Sequence, residues 1–153
     1  MTAGPQKRLL VEDALETVKY RVYPETPLAE VVDLMVRRAV RAVPVVGPGY
    51  EVLGIITTGD ALSQLLRGEV SEEAEGEVRG GPLTARDVMT RAVLCVSESQ
   101  ELAEAARMMV NRKVEQLPVV RDGELIGLIT RDRILSALHA AWLPTNDETK
   151  DDS

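Results

Sequence analysis

The stretch GIITTGD, Gly54 to Asp60, decides the fold, because nearly the same phrase returns as GLITRDR, Gly127 to Arg133. From the glycine to the threonine the copies differ only in Ile55 against Leu128, and then the second places Arg133 where the first has Asp60. Working outward, the register holds. Asp13 corresponds to Asp87, Val22 to Val96, Leu28 to Leu102, Met35 to Met109 and Pro44 to Pro118, all at an offset of 74. Beyond the proline the offset is 73, one residue having been lost between GPGYEVL and RDGELI. A constant register through half a chain, broken by one turn deletion, marks a duplicated structural unit.

Each copy reads alike. A short helix or turn comes first (VEDAL; TARDVM, where Thr84 and Asp87 make a capping box), then a short strand (YRVY; AVLCV). An amphipathic helix follows. Thr26 is expected to cap the first, with Pro27 at its first position and Leu28, Val31, Val32 and Met35 inward. Ser99 is expected to cap the second, with Leu102, Ala105, Ala106 and Met109 inward. The apolar runs VPVV and LPVV, then VLGIIT and LIGLIT, have strand length and suit a sheet buried under helices. A last helix closes each copy (ALSQLL; RILSALHAA). The fold class is α/β (α+β), with two β-α-β-β-α units packed through their sheets about a pseudo-twofold axis, since neither half is large enough to be comfortable alone. The expected divisions are a leader 1–8, a first unit 9–66, an acidic linker 67–82, a second unit 83–141 and an acidic, disordered tail 142–153.

Composition narrows the chemistry. The chain has 153 residues, 44% of them apolar, yet contains no Phe and only 3% aromatics, so its core must be aliphatic. The net charge of −7 lies mostly outside the two units. Residues 67–82 carry five glutamates against two arginines, and the tail carries four acids against Lys150. An acidic balance without a basic aromatic face argues against nucleic acid. No apolar run reaches the length of a membrane span, and no signal-peptide pattern opens the chain, so a cytoplasmic location is expected. The lone Cys95 excludes a disulfide framework, and the single His139 has no second ligand at metal spacing. No nucleophile and base are paired and no P-loop is present, so no catalytic residue is assigned.

The ordered series D-x-M/L, helix, x-x-P-V-V, G-h-h-T-x-x-D resembles the CBS domain, and its tandem occurrence resembles a Bateman module. DVMTRAVLCV, LPVVRDGELIGLIT and VPVVGPGYEVLGIITTGD carry the likeness, which spans residues 9–66 and 83–141. The resemblance implies paired sheets that leave two clefts, clefts that take AMP, ADP, ATP or S-adenosylmethionine, and association of two chains into a disc-like homodimer. No cofactor is required. The chain begins with Met just before the first unit and ends just after the second, which leads us to expect a regulated protein partner that is a separate, unidentified chain.

Within that pattern GIITTGD has a chemical reading. A fixed carboxylate, Asp60, can accept hydrogen bonds from both hydroxyls of a ribose, and the adjacent helix start suits phosphate. Ala42, Val43 and Pro44 would flank an adenine, Ile55, Thr57 and Gly59 complete the site, and Tyr20 either stacks on the base or fills the pocket. T-x-x-D at a strand-to-helix junction is equally a capping box, and the two readings are compatible. In the second copy Asp132 has slipped one position, a turn of about a hundred degrees on a helix. A second site from Thr130, Asp132, Leu94, Gln116, Leu117 and Pro118 is therefore expected to be weakened. Arg131 and Arg133 stand in a helix's first turn, where cations oppose the dipole. They either clamp the phosphate of a nucleotide seated on Asp60 or are solvated beside Asp132. Arg37, Arg38 and Arg41 make a basic patch or a solvated helix end. The expected function is a non-enzymatic sensor of an adenosine-containing ligand. The alternatives are a ligand-free dimerisation module and an S-adenosylmethionine binder.

Overall fold

The computed structural model describes residues 8–71, 82–91 and 94–142. Nearly all of the expected leader and tail, and residues 72–81 of the expected acidic linker, lie outside the described residues. A 3-10 turn at Val11–Asp13 is followed by strand β1 (Glu16–Thr17), helix α1 (Leu28–Arg38), strands β2 (Ala42–Val46) and β3 (Val52–Thr57) and helix α2 (Thr58–Ser71). The second copy gives α3 (Ala85–Val88), β4 (Val96–Ser97), α4 (Leu102–Arg112), β5 (Gln116–Arg121), β6 (Glu124–Thr130) and α5 (Arg131–Trp142), with β1 and β4 matched in the other copy only by the isolated bridges at Thr90 and Val22. The mixed α/β class is as the sequence indicates. Among the described residues no helix is long and apolar enough to cross a membrane.

Two compact units form, and their boundaries are not those of the repeat. Residues 18–71, 82–91, 94 and 122–125 make one, here the Asp60 unit; residues 8–17, 95–121 and 126–142 make the other, the Arg133 unit. The opening segment of each copy has thus been exchanged. In the Arg133 unit β1 pairs antiparallel with β6, Glu16 opposite Leu128 and Thr17 opposite Gly127, and Leu10 bridges Glu101. In the Asp60 unit Thr90 bridges Ile55 and Thr84 bridges Pro27. These bridges correspond pair by pair at the repeat offset, as do Val22 with Val45 and Val96 with Val119.

The exchange supplies the helix caps. Thr26 and Ser99 do not cap α1 and α4: the N-cap positions are Pro27 and Glu101, with no side-chain bond at either. Instead the first helical amides, Leu28 and Leu102, donate to the carbonyls of Leu83 and Leu9, both on exchanged segments, at 2.9 Å. With those orphan donors satisfied by backbone, the Thr26 hydroxyl is free to accept the Tyr23 amide at 3.0 Å, and Ser99 bonds Ser97. The Thr84–Asp87 box forms as read, with the Thr84 amide donating to Asp87 Oδ2 at 2.8 Å.

The exchange also explains two strand glycines. A Cβ on Gly54 would lie 2.8 Å from the Thr90 carbonyl oxygen and 2.7 Å from Met89 Sδ; one on Gly127 would lie 2.7 Å from the Glu16 carbonyl oxygen. Both glycines are buried where another backbone crosses them. In the Arg133 unit the crossing segment is further tied by Arg133. Its Nε donates to Ala14 O at 3.2 Å, Nη2 to Leu15 O at 3.4 Å, and Nη1 lies 3.8 Å from Glu16 Oε2.

The cores are aliphatic, as the composition requires. Val22, Leu28, Val31, Met35, Val43, Val45 and Ile56 are buried together with Ala85 from the exchanged segment. In the other unit Leu102, Met109, Leu117, Val119 and Ile129 are fully buried, as is Val11. The strand expected over 20–23 reduces to a single bridge at Val22. Val22 donates to Pro44 O at 3.0 Å and accepts from Val46 at 2.9 Å. Continuing that parallel ladder toward Tyr20 needs an amide at position 44, which proline lacks.

Gly54→Ala and Gly127→Ala should each cost about 1–3 kcal/mol in urea unfolding through overpacking against backbone. A loss under about 0.5 kcal/mol would mean that the crossing strand moves aside. Arg133→Met should lower amide-exchange protection at Glu16 and Thr17, at a cost of about 1 kcal/mol for these solvent-screened bonds. Protection at Val43 and Ile56 should be unchanged.

Candidate functional site

In the Asp60 unit the sequence-predicted residues come together on adjoining strands. Ala42 pairs with Thr57, Val43 with Ile56 and Pro44 with Ile55 across the β2–β3 hairpin. The Thr58 amide donates to Arg41 O at 3.0 Å, which fastens the start of α2 to the strand beside it. Tyr20 lies just upstream of the Val22 bridge, level with the ladder bond that Pro44 cannot donate. The result is a short break between the 20–22 segment and β2, with backbone on either side of it. Val43, Pro44 and Ile55 are buried, while Ala42, Thr57, Asp60 and Tyr20 are half-buried and Gly59 is exposed.

Asp60 and Thr57 are locked in a reciprocal box. The Thr57 amide donates to Asp60 Oδ2 at 2.9 Å, and the Asp60 amide donates to Thr57 Oγ1 at 3.1 Å. The capping reading is therefore realised. It uses one carboxylate oxygen and holds the group in a fixed orientation, leaving lone pairs for diol hydroxyls. Tyr20 carries the guanidinium of Arg38 over its ring, 5.7 Å from the centroid, so a cation already stacks on it.

The second copy keeps half of this. Arg133 donates its amide to Thr130 Oγ1 at 3.2 Å, the counterpart of the Asp60 amide bond, but no carboxylate returns to the Thr130 amide. The Arg131 amide donates to Glu115 O at 3.1 Å, matching the Thr58 contact. The two guanidinium groups expected either to clamp a phosphate or to be solvated are both engaged within their own unit. Arg131 Nε donates to Val114 O at 3.2 Å, and Arg133 holds Ala14 and Leu15. Carbonyl acceptors thus offset the cost of cations at a helix start. Asp132 is exposed, Thr130 and Gln116 are half-buried, Leu117 and Pro118 are buried, and Leu94 is half-buried just ahead of β4.

Other ionisable groups are locally tuned. Burial pushes the Cys95 thiol up. Hydrogen bonds from Arg121, Nε and Nη2 each at 2.8 Å, hold the Glu98 carboxyl below its ordinary value. Among the described residues no cluster of His, Cys, Asp and Glu could hold a metal ion. Sequence reasoning missed the destination of Arg133 and the stacking of Arg21 on Tyr50, 4.5 Å from the ring centroid. Gly127 within a strand pattern was the available signal for the first; no local signal announces the second.

Comparison with known proteins agrees with this architecture. The family model for the CBS domain matches residues 11–67 and 85–140. The crystal structure of CBSX2 in complex with AMP is 30% identical at a TM-score of 0.71, covering 84% of this chain and 95% of that one. The crystal structure of AcuB from Vibrio cholerae is 25% identical at a TM-score of 0.73, covering 92% of this chain and 98% of that one. An uncharacterized 33.4 kDa protein in a ribosomal RNA operon of Thermofilum pendens is 30% identical over 136 residues, 87% of this chain but 42% of the relative. Chloroplastic CBSX2 of Arabidopsis thaliana is 26% identical over 138 residues, 76% of this chain and 57% of the relative. The chain thus spans about half the length of these two curated relatives. With both repeats matched over most of its length, the chain belongs to the CBS domain family, as a tandem pair.

Proposed function

We propose that this protein is a non-enzymatic sensor that binds one adenosine-containing ligand, AMP, ADP or ATP, at the Asp60 unit and passes the signal to a separate protein. The observation that carries the reading is the half-buried Asp60, fixed by Thr57 beside the break that Pro44 makes in the sheet. A ribose diol would bond the remaining lone pairs of Asp60, and the adenine edge would meet the backbone flanking the break, with Pro44 and Ile55 as apolar walls. The likeness to CBSX2 in complex with AMP supports the ligand class. The Thr130 site has no carboxylate in the Asp60 register, so a single dominant site per chain is proposed. Arg131 and Arg133 would have to leave their carbonyl partners to reach a phosphate, and the proposal does not rely on them.

Sensing requires a ligand that prefers one of two states. The state proposed to respond is a homodimer. Val36 on α1 and Val110 on α4 are 74% and 71% exposed, and Leu62 on α2 and Leu135 on α5 are 58% and 67% exposed. Each pair occupies equivalent repeat positions, so the same apolar helix faces recur in both units. The same feature favours the second reading, a ligand-free dimerisation module. A cytoplasmic setting is proposed with both.

The first test is a thermal-shift panel with AMP, ADP, ATP, S-adenosylmethionine and GMP. A ligand at a hundredfold over its dissociation constant adds about 2.7 kcal/mol, roughly 5–10 °C for a chain of this size. One adenosine ligand should give that shift, and Asp60→Ala should remove it while lowering the unliganded melting temperature only slightly. No shift with any of the five leaves the dimerisation module. For the dimer, Val36→Glu combined with Leu135→Glu should halve the mass seen by light scattering; an unchanged mass would place the interface elsewhere.

A further inference from the structure

The Asp60 unit has a second concavity that the nucleotide reading does not use. A cavity of about 450 Å³ opens beside α1, with Arg21, Glu30, Asp33, Arg37 and Arg38 among its walls. That volume lies within the usual range for small-molecule sites. Three of its charged groups are left over after local pairing. Arg37 is matched by Asp33, Nε to Oδ1 at 3.1 Å. Arg21 rests on the Tyr50 ring and donates Nη2 to the Tyr50 hydroxyl, but its Nε is buried with no hydrogen-bond partner. Among the described residues Arg38 stacks on Tyr20 and makes no ion pair, and Glu30 has none either. The buried Nε is closed to solvent, so a ligand in the cavity would meet Arg21 through the rest of its guanidinium.

The repeat provides an internal control. Position 21 is Cys95 in the second copy, position 33 is Arg107 and position 37 is Asn111, and RDGELI has no tyrosine to match Tyr50. Glu30 and Arg38 persist as Glu104 and Arg112. A group that the scaffold needed would be present in both copies, since both build the same helix on the same strands. Arg21 with its tyrosine is an addition to one copy. Fastening the Tyr50 turn accounts for Nη2 and the ring face. It does not account for a second guanidinium, that of Arg38, standing on the same cavity without an ion pair among the described residues.

We propose that this cavity is a binding site for a small phosphate monoester, separate from the Asp60 site. The guanidinium groups of Arg21 and Arg38 would take the phosphate oxygens, chemistry for which planar, always-charged donors are suited. Glu30, unpaired on the same cavity, would accept a hydrogen bond from a hydroxyl of the ester. With Asp33 it also sets a limit on charge, favouring one phosphate over a polyphosphate chain.

The test uses the full chain and two probes, inorganic phosphate and glycerol 3-phosphate, followed by NMR of the arginine Nε–H signals. Both probes should shift Arg21 and Arg38 saturably, and glycerol 3-phosphate should bind more tightly. Arg38→Gln should weaken both at least about tenfold, the loss of one charge-assisted contact. Glu30→Gln should erase the preference for the glycerol ester, and Asp60→Ala should leave both affinities unchanged. Arg21→Gln should abolish the saturable shift at Arg38. Should that variant fail to fold, Arg38→Gln decides alone. Shifts that do not saturate, that survive Arg38→Gln, or that vanish in Asp60→Ala would overturn the proposal, the last by moving the phosphate to the nucleotide site.

Discussion

The constraint on which the rest of the structure depends is the crossing of an exchanged segment over a strand glycine. At Gly127 the backbone of Glu16 comes so near that a single Cβ would collide with it, and at Gly54 the backbone of Thr90 does the same. That approach makes the antiparallel pairing of β1 with β6 possible and aligns Leu9 and Leu83 to receive the first amides of α4 and α1. A helix start normally needs a side-chain acceptor. Here the acceptor is the backbone of a segment distant in sequence, so helix start and crossing segment are joined by a hydrogen bond.

The divergence of GIITTGD from GLITRDR follows from the same crossing. Position 133 stands near the exchanged Ala14–Glu16 segment, and an arginine there reaches two of its carbonyls and a carboxylate. The aspartate at position 60 turns back onto Thr57 and completes a cap. One copy has spent this position on holding the fold; the other has left an oriented carboxylate beside a break in the sheet. Charge decides which is available. A guanidinium has donors only, so it can tie carbonyls but cannot accept from a sugar hydroxyl.

The proline of x-P-V-V has a similar double consequence. By lacking an amide, Pro44 ends the parallel ladder at Val22, and so leaves backbone near Tyr20 and Ala42 unclaimed by the sheet. Buried polar backbone is rarely left without a partner. An edge-on hydrogen-bonding ligand between apolar walls is one way to provide it. The proposed nucleotide site thus arises from a missing bond in the sheet and a helix cap that happens to be acidic.

How much of this was legible in the chain varies by level. The duplication, the mixed α/β elements, the aliphatic core positions Leu28, Val31, Met35, Leu102, Ala105 and Met109, and the Thr84–Asp87 box were all readable, because each rests on local periodicity or on residues three or four apart. The caps expected from Thr26 and Ser99 were misread for the same reason: the local rule assumes that a helix start must find its acceptor nearby, and here it is supplied from more than fifty residues away. The sequence by itself determined that the protein is one unit written twice, with one carboxylate kept and one lost. Only the tertiary structure decided where the arginine that replaced it goes, which glycine meets which backbone, and that the buried Nε of Arg21 has no hydrogen-bond partner. Those outcomes depend on chain crossings between segments far apart in sequence, which periodicity does not encode.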